Sequence, residues 1–169
     1  MPKRFEFSAE FAHPVERVYA VLTDEAYWRG RLAPDSRTAV QVVDSLDGDG
    51  RPLVTVTMTE TVDSASFPAL CARQFAVRCV CSVSTRGVLS ATAGPSGRVE
   101  GTSTGMPVVI RGDYDLGPHA GGALLAVRGT ITAEVPVIGG SIETLARQMV
   151  GQMVIRDRDE VLRRLTDTG

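Results

Sequence analysis

The chain opens with strict alternation. Phe5, Phe7, Ala9 and Phe11 fall on one side and Arg4, Glu6, Ser8 and Glu10 on the other, a period of two that predicts a half-buried strand. His13-Pro14 ends it, and Pro14 suits the first position of a helix. Val15, Val18, Tyr19 and Leu22 then recur at helical spacing, predicting a short amphipathic helix to about Thr23. Asp24 is placed to cap a second helix, from 25 to about 32, that contains Tyr27 and Trp28.

The middle of the chain reads as β. A strand over 37–45 is followed by Asp47-Gly48-Asp49-Gly50, a hairpin signal, and a return strand over 53–62. On the return, Thr55, Thr57, Thr59 and Thr61 face one way, while Val54, Val56, Met58, Glu60 and Val62 face the other. A helix is predicted over 67–77, with Pro68 near its start. Strands are predicted over 78–85, 88–93, 98–106, 108–116 and 123–135. Gly94-Pro95-Ser96-Gly97, Met106-Pro107 and 117–122 separate the later ones with turn chemistry. Strands in succession joined this way predict an antiparallel meander.

The last element has the clearest signature. Ser141 is a suitable N-cap, Glu143 lies near the positive end of the helix dipole, and Ile142, Leu145, Ala146, Met149, Val150, Met153, Val154, Val161, Leu162 and Leu165 form an apolar stripe. A helix over 141–166 is ~39 Å long at ~1.5 Å per residue, so it must lie across a whole sheet. No repeat or linker interrupts the pattern, which predicts one domain over 1–169.

Composition narrows the function classes. With 169 residues, 43 % of them hydrophobic and 22 % charged, the chain has ordinary globular composition and can bury a core without disulfides or metal. A formal net charge of −2 and 5 % aromatic residues give no electrostatic or stacking reason to expect nucleic acid. No apolar run approaches the ~20 residues of a membrane span. Cys71, Cys79 and Cys81 are three, an odd number, which fits a reducing, cytoplasmic setting. Cys79 and Cys81 could share a strand face as a C-x-C site, but no nearby histidine or second pair completes a tetrahedron, and free cysteine also serves as a small core residue.

Certain stretches resemble a known family. They are Leu22-Thr23-Asp24-Glu25-Ala26-Tyr27-Trp28, Ser66-Phe67-Pro68-Ala69-Leu70, Gly105-Met106-Pro107-Val108 and the run from Val135 through Pro136, Ile138 and Gly140 to Glu143. In order and spacing they are similar to the START-like, or SRPBCC, superfamily, and most of all to an actinobacterial family within it, domain of unknown function 2505. The resemblance covers essentially the whole chain. It implies an α+β helix-grip fold, shared with the birch-pollen-allergen proteins: a curved antiparallel β-sheet wrapped around a long C-terminal α-helix, with two short helices after the first strand. It also implies a hydrophobic cavity between sheet and helix, which is a binding mode and not a reaction.

The residues themselves offer little assembled chemistry. There is no P-loop, no G-x-G-x-x-G after a strand, no G-x-S-x-G and no H-E-x-x-H. His13 and His119 are the only histidines, and both read as surface residues. Glu60 is the most informative polar residue. In register with Val56 and Met58 it either points inward, as a polar handle or general acid/base, or marks a solvated rim. Met149 and Met153, one helical turn apart, suit an adaptable pocket or plain core filling. Gly112 and Gly129 fall on the inner faces of their strands, where a missing side chain either admits the helix or leaves cavity volume. Tyr114 needs a partner for its hydroxyl if buried. The charged run 156–160 reads as a solvated helix surface.

The candidate ligand-contacting residues are therefore Trp28, Met58, Glu60, Phe67, Ile110, Tyr114, Met149 and Met153, with no metal ligand, cofactor or catalytic residue assigned. The favoured expectation is a binding or carrier protein for an apolar small molecule such as a lipid, polyketide or isoprenoid. Two alternatives stand beside it: a cyclase, dehydratase or hydrolase using Glu60 and Tyr114 in the same cavity, and an interaction module whose core is filled. Cavity volume discriminates, because a ligand site offers roughly 300–1,000 Å³. Oligomeric state is left open.

Overall fold

The computed structural model describes residues 2–30, 38–46, 52–62, 77–86, 95–104 and 107–167. Alternation at the start becomes strand β1 (Lys3–Phe11), which buries Phe5, Ala9 and Phe11 and exposes Arg4, Glu6 and Glu10. Helices α1 (Val15–Leu22) and α2 (Glu25–Gly30) follow. Pro14 stands one position outside α1 and not in its first turn. Its ψ of 152° is extended, and its carbonyl accepts from the N–H groups of Arg17 and Val18 at 3.1 and 3.2 Å. Asp24 caps α2 through Oδ1, which accepts from the N–H of Ala26 at 2.9 Å.

The remaining strands are β2 (Thr38–Leu46), β3 (Pro52–Val62), β4 (Val77–Arg86), β5 (Ser96–Thr104), β6 (Val108–His119) and β7 (Gly122–Ala133). They form one seven-stranded sheet in the order β1-β7-β6-β5-β4-β3-β2, with every neighbouring pair antiparallel. The predicted turn at 47–50, the strand at 88–93 and residues 67–76 of the predicted middle helix lie outside the described residues. Val77, expected to end that helix, begins β4.

The β6–β7 connection is tighter than its composition suggests. Gly117, Pro118 and His119 stay in β6 and Gly122 opens β7, so the chain reverses through Ala120 (φ 40°) and Gly121 (φ 86°). Consecutive left-handed residues match the right-handed twist of the flanking strands, and glycine adopts that conformation without steric cost.

The C-terminal helix α3 (Gly139–Asp167) has 29 residues and is about 43 Å long. It begins earlier than the Ser141 cap predicted. The Ile138 carbonyl accepts from the N–H groups of Ser141 and Ile142 at 3.0 and 3.1 Å, which leaves Ser141 inside the first turn. Glu143 is consequently turned inward. It is 4 % exposed, and Oε1 accepts from the N–H of Ala133 at the end of β7 at 3.2 Å. Glu143→Ala is expected to lower the unfolding free energy by about 1 kcal/mol, because the half-buried Ala133 N–H loses its acceptor. Glu143→Gln retains an acceptor, so equal losses for the two variants in urea titration would refute this role.

Close contacts set α3 on the sheet. A Cβ on Gly151 would lie 2.9 Å from the Phe7 ring, so a larger residue there would make that ring shift or hold the helix further off. Phe7 stacks on Phe5 with centroids 5.9 Å apart, and the tip of Phe5 occupies the space a Cβ on Gly129 would need, 2.6 Å away. The gap left by Gly129 is thus filled by a ring, neither open as cavity nor taken by the helix. At the other end, Arg164 of α3 reaches Asp24 before α2 at 3.2 Å. Among the described residues, no helix is long and apolar enough to cross a membrane.

Candidate functional site: a cavity between sheet and helix

Where β5 looks inward, its residues are Gly97, Val99 and Gly101. Their partners on β6 are Tyr114, Gly112 and Ile110 respectively. Small residues alternating along one strand leave space that neighbours of ordinary size do not fill, and a cavity of about 110 Å³ lies there. Val99, Gly101, Ile110, Tyr114, Leu125 and Val127 form its sheet wall; Val150, Met153, Val154 and Asp157 of α3 face them, and Leu22 and Trp28 complete the lining. The volume is roughly a third of the ~300 Å³ at the lower end of drug-sized sites. It is nevertheless close to the ~150 Å³ apolar cavity that admits benzene. The result falls between the open and filled cases.

Polar groups in this wall are few. The Trp28 indole N–H donates to the Leu22 carbonyl at 2.8 Å, and its ring meets Tyr27 edge-on at 5.0 Å, which fixes α2 against the end of α1. Tyr114 is 5 % exposed, and its hydroxyl has no hydrogen-bond partner among the described residues. Burial pushes the phenol far above its ordinary range, with the nearby Tyr19 hydroxyl adding to the shift. The group is therefore neutral at physiological pH and presents a proton, not a negative charge. Asp157 contributes the carboxylate of the wall.

Of the residues named from sequence, Trp28, Ile110, Tyr114 and Met153 come together here. Met149 does not. The apolar stripe includes it, but it is 37 % exposed. At about 100° per residue, Met153 stands about 60° round the helix from buried Val150, whereas Met149 stands about 100° away on the outer side. The backbone of Met58 and Glu60 pairs with β2 and β4, at Val40 and Cys81 and at Thr38 and Cys79. The side chains of Met58 and Glu60, and all of Phe67, lie outside the described residues. Asp157 also lines the cavity, although the charged run around it reads as surface. Its spacing from Val150, Met153 and Val154 (i+7, i+4, i+3) was the available signal.

Two other places invite chemistry and offer less. Among the described residues no group of three His, Cys, Asp or Glu side chains is arranged to hold a metal ion. His119 is exposed on β6, with Nε2 3.8 Å from Glu10. On the outer face of the sheet an open depression of about 420 Å³ is lined by Arg98, Glu100, Arg111, Asp113 and Thr130. Its charges alternate across the ladder, Arg98 opposite Asp113 and Glu100 opposite Arg111, and so cancel.

A long C-terminal helix held against a seven-stranded antiparallel sheet, with two short helices after the first strand, defines the helix-grip class. The chain is similar to a START superfamily protein from Mycobacterium smegmatis, with a TM-score of 0.57 and 14 % identity, covering 98 % of this chain and 99 % of that one. It is also similar to the Zhui aromatase/cyclase from Streptomyces sp. R1128, with a TM-score of 0.56 and 15 % identity over 98 % of this chain and 94 % of the other. Identities this low establish the fold. Residues 6–165 match the family described as "Protein of unknown function (DUF2505)", and the chain belongs to that family. A relative in Mycobacterium tuberculosis strain H37Rv, described as an uncharacterized protein, is 28 % identical over 171 residues and covers 91 % of both chains.

Proposed function

We propose that residues 1–169 act as one binding unit for a compact apolar molecule, or for the apolar end of a longer lipid, polyketide or isoprenoid. The observation behind this reading is the cavity itself: aliphatic and aromatic walls drawn from the sheet, α2 and α3 converge on it. Apolar surface entering such a space leaves water, at roughly 25 cal/mol per Å² buried. The small volume favours a ligand of one ring or a short branched chain, with any remainder outside. Carrier or receptor function fits better than turnover. Tyr114 is protonated and hence no base, and the fold likeness to an aromatase/cyclase is an analogy of architecture. The odd cysteine count favours a cytoplasmic setting for this activity.

Benzene is a suitable first probe. With methionine methyl groups labelled with ¹³C, titration is expected to shift the Met153 signal saturably and leave the outward Met149 signal in place. No saturable shift of Met153, or equal drift of both methyls, would overturn the binding reading.

A further inference from the structure

The polar end of a ligand is chosen by the polar groups its cavity leaves open. We propose that this cavity takes an apolar molecule bearing a hydroxyl group, either a small ring alcohol or phenol or the hydroxylated end of a longer lipid, and that the Asp157 carboxylate accepts a hydrogen bond from it. This rests on the binding reading above and adds the ligand's head group to it.

Trp28, Tyr114 and Asp157 bring polar groups to an otherwise hydrocarbon lining. Trp28 gives its indole N–H to the Leu22 carbonyl at 2.8 Å. The Tyr114 hydroxyl is sealed behind the wall, with less than 1 Å² of its surface open. Asp157 is half-buried, so one side meets the cavity and another meets solvent. It follows Met153 by four residues and Val154 by three on the inner side of α3, which places it about 6 Å further along the helix axis than Met153. A ring resting on Val150 and Met153 therefore has its substituent near the carboxylate.

The charge of this group decides the class. An aspartate carboxylate is ionised near neutral pH and then accepts hydrogen bonds without donating any. It has about four lone-pair directions, so a bond it already makes within the protein leaves others for a ligand. A ketone, ester or ether offers it no donor. A fatty acid would bring a second negative charge against it. The arginines close by on α3 do little to reverse that sign, since Arg158 pairs with Asp159 at 2.7 Å and Arg164 with Asp24 at 3.2 Å. An ammonium suits the charge but loses far more hydration on entering apolar surroundings than a hydroxyl does. A neutral alcohol meets both conditions: it has a proton to give and is cheap to desolvate.

Phenol and toluene form a matched pair, alike in shape and differing in hydroxyl against methyl, with binding followed by the Met153 methyl signal. In Asp157→Leu the ratio of phenol to toluene affinity is expected to fall about tenfold, the effect of one charge-assisted hydrogen bond at a half-buried site. The ratio is the readout because leucine adds apolar surface that both probes share. Asp157→Asn keeps an acceptor oxygen and should retain part of the preference. A ratio that moves less than about twofold in Asp157→Leu overturns the assignment of Asp157 while the cavity still binds. Failure of both probes to shift Met153 in the wild-type protein overturns the binding reading, and this inference with it. A second readout uses the wild-type protein with aspartate labelled with ¹³C at the side-chain carboxyl. The Asp157 signal, identified by its loss in Asp157→Asn, should move saturably with phenol and much less with toluene. Equal movement with the two probes would refute the hydrogen bond.

Discussion

Replacing Phe5 with alanine is expected to lower the unfolding free energy by about 3–5 kcal/mol, the usual cost of emptying a buried aromatic site. Phe5 is 4 % exposed, stacks on Phe7 and lies over Gly129, so its ring forms the layer between β1 and the middle of β7. A Cβ on residue 129 would also lie 2.3 Å from the Arg111 carbonyl oxygen, which the loss of Phe5 does not move. Gly129→Ala should therefore remain destabilising in the Phe5→Ala background. The measurement is urea denaturation of the two single variants and the double variant. A loss below about 1 kcal/mol for Phe5→Ala, or rescue by the second change, would contradict this packing.

Met153→Trp should reduce benzene affinity at least about tenfold while the fold persists. The side chain is half-buried at the edge of the 110 Å³ cavity, so a larger ring has space to enter. In a filled core the same enlargement would force off-rotamer side chains and cost about 1–3 kcal/mol. The two cases separate cleanly: cavity filling lowers affinity with a near-native thermal midpoint, whereas overpacking lowers the midpoint. Met149→Trp is the control. Its side chain points outward, and benzene affinity should not change. Unaltered affinity in Met153→Trp would remove that residue from the site.

Much of this architecture is legible in the chain because burial imposes a period. Phe5, Phe7, Ala9 and Phe11 declare β1, and Val150, Val154, Val161 and Leu165 declare the inner face of α3. Boundaries are less legible because they depend on backbone groups. The start of α3 is fixed by the Ile138 carbonyl and not by the Ser141 side chain. The β6–β7 reversal uses two left-handed residues out of a run that looks like a longer loop. The site is legible in part, since periodicity marks which face is inward but not where volume is missing. The alternating pattern points to Gly112 and Gly129, yet the space beside Gly129 is filled by the Phe5 ring, a contact between residues far apart in sequence. Gly101 on β5 lines the cavity instead, and its role emerges only from its register with Ile110. Met149 and Met153 differ by less than half a turn of phase, too little for an apolar stripe to separate.

The pairing of β1 with β7 bears on how the chain is made. Phe11 aligns with Ala123, 112 positions later, and Lys3 with Ile131. At about 5–20 residues per second, a ribosome needs roughly 6–22 s to traverse that interval. During that time the strand containing Phe5, Phe7 and Phe11 has no sheet to join, and the helix that covers it is translated later still. Long-range closure of this kind slows folding relative to hairpins. Until β7 emerges the aromatic face of this segment has no strand partner, and the charges of Arg4, Glu6 and Glu10 on its other face oppose self-association.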